Sequence, residues 1–280
     1  MLVSIKLIKC IRNRLQWRYL ALYTAFIVGT AGSGKSLLTA SLIEWMRMNE
    51  LHAVALNMDP GVVRLPYGPD IDVREYINID TVMNEFELGP NGALVAAVDM
   101  ITAHAEEILE EIDEFAPDIL LIDTPGQMEL FAFRQTGVVA ASQLGGKKCA
   151  LINLLDGNLC KQPYGLVNSL ILSLSVFMRF YLPQLNVISK TDLLTNQQLA
   201  DLQDWIDDVF LLENALNSSV KGQQRELALK LTRTIDELQL LPETFPISAK
   251  KNFNIDQLYA KLQLIWQGGE DFAVEDRSII

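Results

Sequence analysis

The segment Gly29-Thr-Ala-Gly-Ser-Gly-Lys35-Ser36 constrains this chain more than any other stretch, because it fits G-x-x-x-x-G-K-[ST] in the context that gives the pattern meaning. An apolar run, Tyr23–Val28, precedes it, and a helical pattern from Lys35 to Asn49 follows. In that setting the backbone N–H groups of Gly29, Ala31, Gly32, Ser33 and Gly34 curl around phosphate oxygens, and the helix N-terminus adds the positive end of its dipole. Lys35 offsets charge on the outer phosphates, and Ser36 offers a hydroxyl to Mg²⁺.

Apolar strand-like runs alternate with helical patterns along the rest of the chain, which predicts an α/β fold: a P-loop NTPase three-layer domain with a mostly parallel central sheet. Strands are expected at Tyr23–Val28, Ala53–Met58, Ile119–Ile122, Cys149–Leu155, Leu185–Ile188 and Phe245–Ile247. Helices are expected at Lys35–Asn49, Ala93–Phe115, Tyr164–Tyr181, Asn196–Leu212, Gln223–Leu241 and Ile255–Gln267. Two helical patterns between the last two strands predict a helical insertion at about 196–241 that leans on the sheet. Half of the 280 residues are hydrophobic, enough for a sizeable core, and neither an internal repeat nor a long Pro/Gly/Ser linker divides the chain. The expected organisation is a basic N-terminal extension over 1–22, one nucleotide-binding domain over 23–267 and a loosely ordered tail over 268–280.

Charge narrows the function. Against 23 Lys and Arg stand 35 Asp and Glu, a net charge of −12 that argues against a broad nucleic-acid surface but permits a small cationic pocket. Residues 1–22 carry Lys6, Lys9, Arg12, Arg14 and Arg18 and no acid. The acidic run Glu106, Glu107, Glu110, Glu111 and Asp113 reads as a solvated helix face. Three widely spaced cysteines and two histidines suit a reducing, cytoplasmic interior and leave almost no ligands for zinc or nickel. The apolar run Leu20–Val28 imitates a secretory signal, but cleavage there would destroy the glycine-rich motif. Leu166–Leu182 has nearly the length of a membrane span, yet Asn168, Ser173, Arg179 and Pro183 interrupt it, so a buried or interface helix is expected and no membrane span.

Three further strings follow in order. In Ile119-Leu-Leu-Ile-Asp123-Thr-Pro-Gly126-Gln127 an apolar strand ends in an acid, which lies beside the ligand crevice of an open α/β sheet and can hold Mg²⁺. Gly126 would offer its N–H to the terminal phosphate, with Gln127 beside the attacking water. In Val187-Ile-Ser189-Lys190-Thr-Asp192 the carboxylate can accept two hydrogen bonds from the N–H edge of guanine while the Lys190 stem lies over the ring; adenine lacks such paired donors. Finally, Pro246-Ile-Ser248-Ala249-Lys250 is similar to the loop whose backbone N–H meets guanine's exocyclic oxygen. Together they select GTP and GDP over the adenine nucleotides.

Leu88-Gly89-Pro90-Asn91-Gly92 reads locally as a β-turn. With Asn57-Met-Asp59-Pro60, the stretch from Tyr67 through Asp70, Asp72 and Arg74 to Glu75, and Asp123-Thr-Pro-Gly-Gln127-Met-Glu129, it resembles the GPN-loop GTPases, archaeal members most, over Tyr23 to about Gln267. The resemblance implies a Mg²⁺-dependent GTPase and a homodimer in which each GPN loop reaches the partner's nucleotide, placing Asn91 in trans near the attacked water. It also implies that Asp59 contacts that water or the Mg²⁺ shell, and that Gln127 and Glu129 position it. The apolar helix at Leu166–Tyr181 would form the dimer contact. Arg74 reads either as a cationic finger or as one half of a structural ion pair.

Two positions depart from the family pattern. Ser189 stands where Asn or Thr is common, and Gly61 where a small Ala is usual. The basic extension lies outside the resemblance. Three rival outputs remain at this level: a hydrolase switching between states; a nucleotide-dependent scaffold whose output is partner binding, with an RNA polymerase-related client by analogy to eukaryotic relatives; and a P-loop kinase or metallochaperone GTPase. A kinase would not need Asp192, and a metallochaperone would want His/Cys pairs this chain lacks.

Overall fold

The computed structural model describes residues 22–146, 148–238 and 242–268, so the expected basic extension up to residue 21 and the tail after residue 268 lie outside the described residues. Successive side chains along each central strand feed opposite cores, as the two-residue period of a strand requires. Phe26, Val28, Val54, Leu56, Leu120 and Ile122 face one side. Ala25, Ile27, Ala53, Ala55, Ile119 and Leu121 face the other. Burial on both faces is why these strands read as unbroken apolar runs rather than as alternating ones.

The chain runs β1 (Tyr23–Gly29), α1 (Lys35–Met48), β2 (Ala53–Asn57), β3 (Ile71–Asp72), α2 (Ile79–Glu85), α3 (Pro90–Met100), α4 (Ala105–Phe115) and β4 (Ile119–Asp123). It continues through α5 (Met128–Phe131), α6 (Gln135–Leu144), β5 (Lys148–Asp156), α7 (Gly157–Cys160), α8 (Pro163–Phe180) and β6 (Gln184–Ser189). The last elements are α9 (Asn196–Asp207), α10 (Val209–Ser219), α11 (Gly222–Leu238), β7 (Thr244–Pro246) and α12 (Ile255–Gly268). The seven strands lie in the order β3-β2-β4-β1-β5-β6-β7. Every neighbouring pair is parallel, which gives the expected P-loop α/β architecture. Winding reverses around β1, and a ligand crevice is expected outside the carboxyl ends of the strands at such a point.

Helices cover both faces. α1 and α12 pack through Leu38, Leu42, Met46, Leu258, Leu262 and Trp266 on one side. On the other, α3, α4, α6 and the end of α8 contribute Ala97, Ile108, Leu144, Val176 and Phe180. A third cluster joins Leu166 and Leu170 of α8 to Leu202, Leu212, Leu216 and Ala228 of α9–α11, against Leu155 and Ile188 at the sheet. α8 is, among the described residues, the one helix long and apolar enough to cross a membrane, and it packs into two of these cores.

The structure divides two helices that the sequence pattern predicts as continuous. Ala93–Phe115 breaks at a 3₁₀ turn, Ile101–His104, where the Thr102 hydroxyl donates back to the Asp99 carbonyl at 3.0 Å. Asn196–Leu212 breaks at Asp208, whose carboxylate leaves the helix to accept from the Phe210 N–H at 2.8 Å and cap α10. Strand β3 and helices α2, α5, α6 and α7 are additions to the expected elements.

Candidate nucleotide site

The loop between β1 and α1 takes its shape from glycines. Gly32 and Gly34 have φ of 73° and 102°, a region that residues with a Cβ rarely enter. Gly34 supplies no side-chain cap to α1, so the first N–H groups of that helix face the loop as an anion site. Lys35, only 5% exposed, donates from Nζ to the carbonyls of Gly29 at 2.9 Å, Thr30 at 3.1 Å and Gly126 at 2.9 Å. It therefore ties the phosphate loop to the loop after β4. Burial lowers its pKa, while the charges of Asp123, Asp59 and Glu129 pull the other way.

Asp123 ends β4 and is 1% exposed. Burial pushes its carboxyl up to about 6, with the Tyr67 hydroxyl, the neighbouring Ser36 hydroxyl and the Lys35 charge opposing that rise. The Tyr67 hydroxyl donates to Oδ2 at 3.1 Å. Oδ1 is buried without a hydrogen-bond partner. A buried carboxylate oxygen left unsatisfied beside a serine hydroxyl is a hard-oxygen donor set, which fits Mg²⁺.

Asp59 leaves β2 at the edge of this cluster. Its Oδ1 accepts from the Gly61 N–H at 2.9 Å and its Oδ2 from the Gly126 N–H at 2.8 Å. The Gly126 N–H, expected to face a terminal phosphate, thus rests on a carboxylate oxygen here. A Cβ at Gly61 would come within 2.7 Å of Leu94 Cδ1, the movable end of a side chain on α3, so a small residue there asks only for a shift of that leucine. Arg74 resolves as an ion pair, with its guanidinium 2.5 Å from Asp72 Oδ2 and a further bond to the Val62 carbonyl at 3.0 Å.

The loop after β6 is fastened on three sides. Ser189 Oγ donates to the Ser33 carbonyl of the phosphate loop at 2.7 Å and shares its proton with the Leu155 carbonyl at 3.2 Å. Thr191 Oγ1 donates to the Ile247 carbonyl at 2.8 Å, and Ser248 Oγ donates to Asp192 Oδ1 at 2.8 Å. Lys190 adopts φ of 59° and pairs with Asp156 at 2.8 Å. The Ala249 carbonyl accepts from Ser41 Oγ of α1 at 2.8 Å. Lys250 is exposed.

Three of the four residues expected to orient the attacking water stay at the surface. Asn91, Gln127 and Glu129 are exposed, although Lys35 feels the charge of Glu129. Gly89-Pro90-Asn91 does not form the expected β-turn. Gly89 is the N-cap of α3 and Pro90 its first residue, a position where the missing N–H costs nothing and the fixed φ suits a helix. Two contacts escape the sequence patterns, that of Tyr67 with Asp123 and that of Asp156 with Lys190. Asp156 carries a usable signal, since it ends an apolar strand as Asp123 does. Tyr67 carries none.

Residues 27–268 match a family described as conserved hypothetical ATP binding protein. A GPN-loop GTPase of Pyrococcus abyssi is 32% identical over 233 residues, spanning 82% of this chain and 92% of that protein. The apo crystal structure of a GTPase from the same organism superposes with a TM-score of 0.76 at 30% identity, covering 87% of this chain and 97% of the other. GPN-loop GTPase 1 of Dictyostelium discoideum is 27% identical over 86% of this chain, which spans 61% of that longer protein. With a cleft of this construction and relatives at this identity and coverage, the chain belongs to the GPN-loop GTPase family.

Proposed function

We propose that this chain is a GTPase, binding GTP with Mg²⁺, hydrolysing it to GDP and phosphate, and working as a homodimer whose two states serve as a conformational switch. One observation carries the reading: the Ser189 hydroxyl joins the Lys190–Asp192 loop to the phosphate loop at Ser33, so one rigid cleft offers a phosphate cradle at one end and a carboxylate at the other. A ligand spanning both has an anionic tail and a base with an N–H edge. The carboxylate of Asp192 accepts and cannot donate, which suits guanine rather than the adenine edge.

Within that cleft each residue has a distinct task. Lys35 exchanges its carbonyl contacts for phosphate oxygens and offsets charge on the transferring group. Ser36 and Asp123 would hold the magnesium ion, which when bound would supply further charge compensation to the phosphates. The Gly126 N–H leaves Asp59 for a terminal phosphate oxygen, releasing the Asp59 carboxylate to orient water together with Gln127 and Glu129. Positioning of this kind is most of what phosphoryl transfer asks of a protein.

Titration with fluorescent GDP and ADP tests the assignment of the base. GDP is expected to bind more tightly by at least ~10²-fold, the value of paired charge-assisted hydrogen bonds. Equal affinity for ADP would overturn the guanine reading, and tighter binding of ADP would favour the adenine nucleotide named in the family description.

The exposed position of Asn91 at the head of α3 supports a role outside its own cleft, in the partner's site. Asn91→Ala is expected to slow single-turnover hydrolysis by ~10-fold or more, as loss of one positioning group does, with GDP affinity unchanged. A large loss of GDP affinity would show instead that the residue binds nucleotide. The partly exposed face of α8 around Phe177, Met178 and Tyr181 is the proposed dimer contact, since Met178 and Tyr181 are 71% and 72% exposed. Sedimentation of the intact chain checks the dimer.

A further inference from the structure

We propose that Tyr67 is a positioning residue for the divalent cation, its hydroxyl holding one oxygen of Asp123 so that the other is presented to the metal. The inference rests on the assignment of Asp123 and Ser36 as the cation's protein ligands. Tyr67 sits in the segment between β2 and β3, 56 residues from its partner, and its hydroxyl donates to Asp123 Oδ2 at 3.1 Å. The partly buried ring packs against the core formed by α1 and the sheet, so the hydroxyl is delivered by a side chain anchored along its length. Asp123 is itself 1% exposed, and Oδ1 has no hydrogen-bond partner.

That asymmetry has a chemical consequence. A carboxylate buried to this extent needs each oxygen satisfied. One is satisfied by a phenol that donates a proton but does not compete for a metal. The other has no hydrogen-bond partner. Without the phenol, Asp123 could turn about χ2 and offer either oxygen, so part of the binding energy of the cation would go into fixing its ligand. The arrangement also ties the segment carrying Asp59, Tyr67 and Arg74 to the metal ligand, because Asp59 holds Gly126 three residues beyond Asp123.

Tyr67→Phe removes the hydroxyl and keeps the ring. The experiment measures Mn²⁺ affinity of the GDP-bound chain by electron paramagnetic resonance, and the rate of fluorescent GDP release with Mg²⁺ and with EDTA. Mn²⁺ binding is expected to weaken ~10-fold, the effect of losing one hydrogen bond to a charged group, and Mg²⁺ should slow GDP release less than in the parent chain. Release in EDTA should be unchanged, which a merely structural role would not produce. Unchanged Mn²⁺ affinity in Tyr67→Phe, with the parent chain binding Mn²⁺ normally, would overturn the role of Tyr67 alone. A parent chain whose GDP complex neither binds Mn²⁺ nor responds to Mg²⁺ would overturn the cation assignment and the proposal with it. Faster release in EDTA as well would show that the hydroxyl merely holds the fold.

Discussion

Lys35→Met is expected to reduce GTP turnover by ~10²–10³-fold, the cost of removing one preorganised charged donor from a transferring group. Phosphate release under single-turnover conditions reads it. The substitution is close to volume-conserving, and the ammonium it removes is costly to keep: burial lowers the Lys35 pKa even with three carboxylates nearby. Structural damage should therefore be limited to the three carbonyls that Nζ now joins, those of Gly29, Thr30 and Gly126. Each such bond contributes about 1 kcal/mol net, so the variant should fold and melt at a lower temperature. Because Nζ links the phosphate loop to the loop after β4, loss of turnover should exceed loss of GDP affinity. The β-phosphate keeps the N–H groups of α1, whereas the transferring group loses its cation. Turnover equal to that of the parent chain would remove Lys35 from the chemistry and leave it a structural cross-link.

What could be read from the sequence, and what could not, divides along sequence distance. Strands such as Ile119–Asp123 and Ala53–Asn57 are buried on both faces, so their composition alone announces them. β3 is two residues long and α2 seven, too short for any period to register. The motif residues are legible because each motif is a local solution: a glycine-rich turn before a helix, or an acid at the end of an apolar strand. The bonds that connect the motifs are not. Tyr67 to Asp123, Asp59 to Gly126 and Ser189 to Ser33 span 56, 67 and 156 residues, and nothing in the neighbourhood of any of these residues announces its partner. Gly89-Pro90-Asn91 failed differently. Pro followed by Asn and Gly suits a turn or the first turn of a helix equally well, and burial of Ala93, Ala97 and Val98 in the core decides for the helix. The Arg74 alternatives were open for the same reason until the fold brought Asp72 to the end of β3 beside the guanidinium.

Asp192→Asn is expected to weaken GDP binding by ~10²-fold through the loss of charge-assisted hydrogen bonds to the base. The structure predicts which way the new amide will face. Ser248 Oγ, itself 1% exposed, donates to Asp192 Oδ1 at 2.8 Å, and the buried hydroxyl continues to need an acceptor when the carboxylate becomes an amide. Asn keeps its oxygen on Ser248 and turns its NH₂ toward the base. Guanine then presents N–H groups to N–H groups, a repulsive arrangement as well as a lost attraction. Xanthine carries a carbonyl where guanine carries its amino group, so the same NH₂ becomes a donor with a matching acceptor. Competition titrations should therefore show xanthosine diphosphate displacing GDP from Asp192→Asn, and the reverse order in the parent chain. A variant that loses GDP without gaining xanthosine diphosphate would mean that the amide oxygen faces the base. An unaltered preference for GDP would place the base elsewhere than at the Lys190–Asp192 loop.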